Sequence, residues 1–251
     1  QHAGMAADFR TVRSDIAPQD AGATTIGAQN AVQEAHGGGF ARAVRPQKTE
    51  YFAGCNLRCE WCAVADWNLA PRSAPEMDAV EVRRRIGERL KEGARTLNLL
   101  GGEPTVSLPG ILGMLAGLRR DARVVWNSNM YFGPRAAAFL DGVVDVYLAD
   151  FKVGNADCAE RLLGAADYVR VAKGALRFAR RTADLIVRYL VIPGHADCCM
   201  TPIFRWLKRT MPDVKVSLRL DYLPPLKAVH APPEPADTAE LDAAARRARK
   251  A

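Results

Sequence analysis

The sequence predicts an α/β chain built on a parallel sheet, in the form of a partial (β/α)6 barrel. Three observations carry this reading. Between Gln47 and Pro225, six short apolar segments of strand length alternate with stretches of helical spacing. Such alternation gives right-handed βαβ units and hence parallel strands. Each chemically unusual loop also follows directly on an apolar segment, where parallel α/β folds assemble their sites. A doubly wound sheet is the alternative architecture.

The elements follow in order. Residues 1–44 are rich in Ala, Gly, Gln and Thr and read as an N-terminal extension, with one short helix at Ala28–Ala35. A core domain is expected over 45–235 and a helical tail over 236–251. Lys48–Ala53 is the first predicted strand, followed by a cysteine-rich loop. Ala79–Glu92 carries apolar residues at helical spacing, with Gly93 as its stop. Thr96–Leu100 is a strand running into Gly101-Gly102-Glu103-Pro104. Helix Ile111–Leu118, strand Arg123–Trp126, helix Arg135–Leu140 and strand Val143–Ala149 come next. Helices at Ala156–Leu163 and Ala172–Arg180 precede strand Leu185–Ile192. Helix Ile203–Arg209, strand Val214–Leu220 and an amphipathic helix at Thr238–Lys250 close the chain.

At 251 residues, 49% apolar and 25% charged, the composition is that of a globular protein able to build one substantial core. The most apolar run, Leu185-Ile186-Val187, is cut by Arg188, so no bilayer-spanning segment and no membrane partner are expected. The N-terminus shows no basic region followed by an apolar stretch, and a cytoplasmic location is expected. The net charge of +7 comes from scattered clusters such as Arg83-Arg84-Arg85 and Arg180-Arg181. No aromatic residues interleave with them as base stacking requires, so solvated helix faces are favoured over a nucleic-acid surface. An acidic peptide partner suits the same charge.

Six cysteines do not form a disulfide framework here, because three of them fall within eight residues. Cys55, Cys59 and Cys62 on one loop can wrap three corners of a cubane, leaving one iron open. The competing reading is a zinc knot completed by His36, His195, Cys198 or Cys199. Cys158, Cys198 and Cys199 lie on two separate loops and read as buried or incidental thiols, with a substrate-linked role open for Cys198-Cys199.

Cys-x3-Cys-x2-Cys after a first strand, with Trp61 before the third cysteine, resembles the radical S-adenosylmethionine (SAM) superfamily. Gly101-Gly102-Glu103-Pro104 one βα unit later matches that superfamily's GGEP motif. Asn127-Ser128-Asn129, Asp150-Phe151-Lys152 and Ile192-Pro193-Gly194 resemble the corresponding loops of pyruvate formate-lyase activating enzyme and its shorter relatives. The resemblance covers Gln47 to Pro225. It lacks the activating enzyme's inserted ferredoxin-like stretch, and residues 1–44 match nothing in it.

The resemblance implies a 4Fe–4S cluster on Cys55, Cys59 and Cys62 whose open iron chelates the methionine moiety of SAM. One-electron reduction then yields methionine and a 5′-deoxyadenosyl radical. It places Trp61 beside the adenine, and Gly101, Gly102 and Glu103 at the amino group. Asp150 and Lys152 fall at the ribose and carboxylate, and Asn129, Arg188 and His195 make further polar contacts. Arg188 inside an apolar strand must in any case be paired or functional. The expected partners are a protein, peptide or small-molecule substrate and an external one-electron donor such as flavodoxin or ferredoxin. A glycyl-radical activase, a radical enzyme acting on a small metabolite or precursor peptide, and a zinc-stabilised binding module are the three functions the sequence leaves open.

Overall fold

Apolar segments rich in Val, Leu and Ile form five parallel strands: β1 (Thr96–Leu99), β2 (Arg123–Ser128), β3 (Val146–Asp150), β4 (Asp184–Leu190) and β5 (Lys215–Arg219). The computed structural model describes residues 54–65, 78–118 and 122–250. The extension over 1–44, its helix at Ala28–Ala35 and the first predicted strand, Lys48–Ala53, lie outside these residues.

Strand order in the sheet is β1-β2-β3-β4-β5, the order of the sequence, and every pairing is parallel. That order decides between the two predicted architectures. A doubly wound sheet reverses its strand order at a switch point, whereas a barrel adds each new strand beside the last. No reversal occurs among the described residues, and the sheet is the arc of a partial (β/α) barrel.

Helices α1 (Ala79–Lys91), α2 (Leu108–Ala116), α3 (Pro134–Leu140), α4 (Ala156–Leu163), α5 (Tyr168–Thr182) and α6 (Thr201–Thr210) fill the crossovers, and α7 (Thr238–Lys250) follows β5. Each turns one stripe inward. In α5, Tyr168, Ala172, Ala175, Leu176 and Ala179 are buried at three- and four-residue intervals. In α1, Val82 and Ile86 are buried, while Arg84 and Arg85 pair with Glu81 on the solvent side. Local chemistry sets the ends: the Asp78 side chain caps α1 by accepting from the Val80 N–H. Gly164, at φ +67°, ends α4 in the left-handed conformation that a Cβ disfavours.

The core lies between sheet and helices, with Trp126, Tyr147, Val187 and Tyr189 from β2, β3 and β4 fully buried. β2 is buried on both faces at Val124-Val125-Trp126, as a central parallel strand should be. Several elements begin away from their predicted bounds. A 3-10 turn at Pro104–Ser107 leads into α2, which starts at Leu108 rather than Ile111 because Pro109 is tolerated in a first helical turn. α5 starts at Tyr168, one turn early. Val143 and Val144 belong to the turn after α3, with Val144 buried there, so β3 begins only at Val146. A π-helical turn at Ala196–Met200 leads into α6, with no apolar repeat in these residues to foretell it.

Candidate active site

The C-terminal ends of β1 to β4 meet through a chain of hydrogen bonds, and the cysteine loop lies across them. Its backbone is anchored on both sides. The Glu103 N–H donates to Gly54 O at 2.9 Å, tying the loop to the end of β1. The Arg58 N–H donates to Leu163 O at 2.8 Å and the Glu60 N–H to Leu162 O at 3.2 Å, tying it to the end of α4. The Glu60 carboxylate accepts from the N–H groups of Val229, His230 and Ala231, which clamps the segment after β5 onto the same loop. Trp61 packs near Tyr222 of that segment, ring centroids 6.5 Å apart.

Cys55 meets the end of β2. The Asn129 amide donates to Cys55 Sγ at 3.5 Å and to Asn56 Oδ1 at 2.9 Å, and the Asn56 amide donates to Tyr131 O at 2.6 Å. Between these residues Met130 is fully buried with φ +60°, a left-handed backbone that is uncommon for a side-chain-bearing residue. Such conformations persist where the surroundings over-determine them. Here the Ser128 hydroxyl accepts the Met130 N–H, and Asn129 Oδ1 accepts the Tyr131 N–H.

Glu103 is 1% exposed. Its Oε1 accepts from the Thr105 N–H, the Thr105 hydroxyl and the Ser128 hydroxyl at 3.1, 2.5 and 2.9 Å, and its Oε2 from the Asn129 N–H at 2.7 Å. The carboxylate therefore caps the 3-10 turn after β1 and clamps it to the loop after β2. Burial pushes its pKa up, and the four donors work against that shift.

The charged group at the end of β3 is compact. Lys152 Nζ lies 3.0 Å from Asp150 Oδ2, and Arg188 Nε of β4 lies 2.7 Å from Asp150 Oδ1. Arg188 also donates to Asn127 Oδ1 of β2, so the charge inside the apolar strand is fully partnered. Burial alone would raise the Asp150 carboxyl; Arg188 and Lys152 overcome it and hold the group at about 2. Sequence reading missed the residue that joins this group to the rest. The buried Tyr168 hydroxyl lies 3.1 Å from Asn129 O and 2.9 Å from Asp150 O, and accepts the Lys152 N–H at 3.0 Å. Its signal in the sequence was only a tyrosine at the start of an amphipathic helix.

Cys59 is pushed up to about 12 by burial, against the pull of Lys152, and burial raises Cys55 as well. Each of these two thiols feels the charge of Cys62, so the three sulfurs share one small volume. Among the described residues, the metal-ligating group whose donor atoms all lie within 4.8 Å of one another is Cys158, His195, Cys198 and Cys199. This corrects the reading of Cys158, Cys198 and Cys199 as scattered thiols, because the fold brings the two loops together. Expected at the cofactor, His195 turns its Nδ1 toward these three sulfurs instead. The zinc knot thereby loses three of its four candidate fourth ligands. The remaining one, His36, lies outside the described residues. Three soft donors on one loop, outside the tight four-ligand group, fit an iron–sulfur cubane with one open iron.

Residues 49–207 match the sequence profile of the Radical SAM superfamily. The chain belongs to that superfamily. An uncharacterized protein of Methanocaldococcus jannaschii is 34% identical over 202 residues, which cover 77% of this chain and 59% of that relative's length. Among solved structures, this radical SAM protein resembles Streptococcus suis SuiB bound to S-adenosylmethionine, with TM-score 0.56 and 14% identity over 86% of this chain and 49% of that one. It also resembles anSMEcpe with bound SAM and a Cys-containing peptide (TM-score 0.54, 14% identity, 78% and 55% covered). A radical SAM methyltransferase of Sphaerobacter thermophilus gives TM-score 0.54 and 16% identity over 78% and 61%. At these identities the structures show a shared fold. The chain spans about half to three-fifths of these proteins. Members of that superfamily use a 4Fe–4S cluster and S-adenosylmethionine for radical chemistry. No helix among the described residues is long and apolar enough to cross a membrane.

Proposed function

We propose that the protein binds its cluster through Cys55, Cys59 and Cys62 and abstracts hydrogen from a peptide or protein Cα, in the manner of a glycyl-radical activase. The observation that carries this is the hydrogen-bonded chain from Cys55 through Asn129, Tyr168 and Asp150 to Arg188. It brings the residues of the motif loops to one end of one sheet. When bound, the cluster supplies one electron, received from a donor such as flavodoxin or ferredoxin, that cleaves SAM to methionine and a 5′-deoxyadenosyl radical.

The residues around it would divide the work. Each of the three thiolates would hold one iron, and the Asn129 side-chain amide would soften the charge on Cys55. Lys152, which already acts on Cys59, would offset the negative charge of the sulfurs and meet the SAM carboxylate. Asp150 stays ionised between Lys152 and Arg188 and would accept from the ribose hydroxyls. Glycines at 101 and 102 would let backbone carbonyls approach the ammonium closely. Glu103 would act chiefly by clamping the loops after β1 and β2, with the remaining lone pair of Oε2, beside the Asn129 N–H, facing the ammonium. Trp61, braced near Tyr222, would lie along the adenine. Holding SAM in this geometry is the protein's main contribution to rate.

A peptide substrate is supported by the loop likeness to the activating enzyme and by the positive charge of the chain. SuiB and anSMEcpe, which share this fold over part of their length, have been solved with peptides bound. The test is isotopic. A glycyl-radical-domain peptide deuterated at its glycine Cα should pass deuterium into 5′-deoxyadenosine. Transfer from small metabolites but never from the peptide would retire the activase reading in favour of metabolite chemistry.

A further inference from the structure

Beside the proposed SAM pocket, two loops from adjacent strands close on four ligand atoms. Cys158 stands in the first turn of α4, after β3. His195, Cys198 and Cys199 stand in and before the π-helical turn after β4. The Sγ atoms of Cys158 and Cys198 are 3.8 Å apart, and those of Cys198 and Cys199 also 3.8 Å. His195 Nδ1 lies 3.5, 3.3 and 3.9 Å from the sulfurs of Cys158, Cys198 and Cys199.

These distances identify the kind of occupant. A tetrahedral zinc ion with sulfur at about 2.3 Å and nitrogen at about 2.0 Å requires S···S edges of about 3.8 Å and S···N edges of about 3.5 Å. Five of the six edges meet those values within a few tenths of an ångström, and the sixth, between Cys158 and Cys199, lies within 4.8 Å. An iron–sulfur cluster distributes its cysteines over different irons, which spreads them further apart. A disulfide needs about 2.05 Å, far shorter than either sulfur pair.

The surroundings are built for thiolates. The Asn155 amide reaches Cys158 Sγ at 3.2 Å, Cys199 Sγ at 3.7 Å and the Cys198 carbonyl at 2.8 Å, so one side chain orients two donors and the turn that carries them. Asn155 Oδ1 meanwhile accepts the Cys158 N–H at 2.8 Å, capping α4. Gly154 permits the approach: a Cβ there would stand 2.4 Å from Cys199 O and 2.8 Å from Cys199 Cα. The π-helical turn places His195, Cys198 and Cys199 on one side, and such turns concentrate at functional sites. α7 holds that turn from outside, through Arg247 on Asp197 and Thr201 and through Glu240 on the Gly194 N–H.

We infer that Cys158, His195, Cys198 and Cys199 form a closed Cys3His site for a structural zinc ion. The ion staples the loop after β3 to the turn after β4, directly beyond Asp150 and Lys152. It thereby fixes one wall of the proposed SAM pocket while taking no part in the electron transfer. Four protein ligands leave no position for substrate, which distinguishes this centre from the three-cysteine loop.

The test is elemental analysis of the full chain purified without oxygen, with three variants. Wild type should hold about one zinc per chain in addition to its iron. Cys158→Ser and His195→Ala should lose the zinc and keep the iron, whereas the Cys55→Ala/Cys59→Ala/Cys62→Ala triple variant should keep the zinc and lose the iron. Cobalt(II) titrated into the zinc-stripped triple variant should give the visible bands of a tetrahedral, thiolate-bound ion, saturating at about one per chain. The cobalt spectrum decides the matter even where Cys158→Ser fails to fold. Wild type without zinc, an octahedral cobalt spectrum, or iron lost from Cys158→Ser in place of zinc would each overturn the inference. Zinc here with no iron on the cysteine loop would instead sink the proposed radical function and leave this site standing.

Discussion

The two sulfur clusters of this chain differ in how they are assembled. Cys55, Cys59 and Cys62 lie within eight residues on one loop, and their spacing alone announced a metal centre. Cys158 and Cys198 are 40 residues apart, and only the parallel pairing of β3 with β4 sets their loops side by side. The first group offers three donors from one loop, a count that leaves one iron of a cubane open. The second is tight and supplies a complete tetrahedron. Spacing reveals ligands when one loop carries them all, while ligands gathered by strand order become visible only in the fold.

The sharpest way to break this comparison is Cys59→Ala. Iron should fall from about four per chain, the content of the cluster, to background. SAM cleavage should vanish, with zinc unchanged. Equal loss of both metals would show that the two groups form one centre.

Lys152→Ala probes the proposed cofactor side without removing a thiol. SAM binding, measured by calorimetry on cluster-loaded protein, should weaken about tenfold or more, equivalent to about 1.4 kcal/mol. Iron content should stay at the wild-type level. Undiminished affinity would show that the pocket lies elsewhere.

Acid stability separates the ion cluster from the metal sites. The Asp150 pKa is depressed to about 2, below an unfolded value of about 3.9. Its contribution is thus full above about pH 4 and is lost as pH falls through about 2. Thiol ligands respond in the same direction but lose their metal at higher pH. With Cys59 held up at about 12, metal must displace its proton, so metal uptake should strengthen as pH rises. Metal retention followed from pH 8 to pH 5 should therefore decline where the Asp150 pair is still intact. In Asp150→Asn, the acid unfolding midpoint of metal-free protein should lose its dependence on this group.

Glu60→Gln should give the smallest effect. It weakens one acceptor of three backbone N–H groups at the surface, for about 0.5–1.5 kcal/mol. A thermal midpoint lower by about 2–4 °C is the expected reading, with both metals retained.

The legible parts of the molecule were those with local signatures. Periodicity located β1 to β5 and α1 to α7, the elements of the described residues, because each buries one face at its own repeat. Gly101-Gly102-Glu103 and Asp150-Phe151-Lys152 were legible because short loops after strands carry their chemistry within a few residues. Tyr168 was not, since its hydroxyl bridges Asn129 and Asp150 across two strands. Nor was the π-helical turn at Ala196–Met200, whose extra residue per turn leaves no apolar repeat. For His195, resemblance pointed to the cofactor while the packing of the β3 and β4 loops gave it three thiols.

The central claim is that the cluster on Cys55, Cys59 and Cys62 keeps one iron open for SAM. Electron paramagnetic resonance of the reduced, cluster-loaded protein tests it most directly. Adding SAM should shift the signal of the reduced cluster in wild type, and in the Cys158→Ser variant as well. An unchanged spectrum at saturating SAM would contradict it.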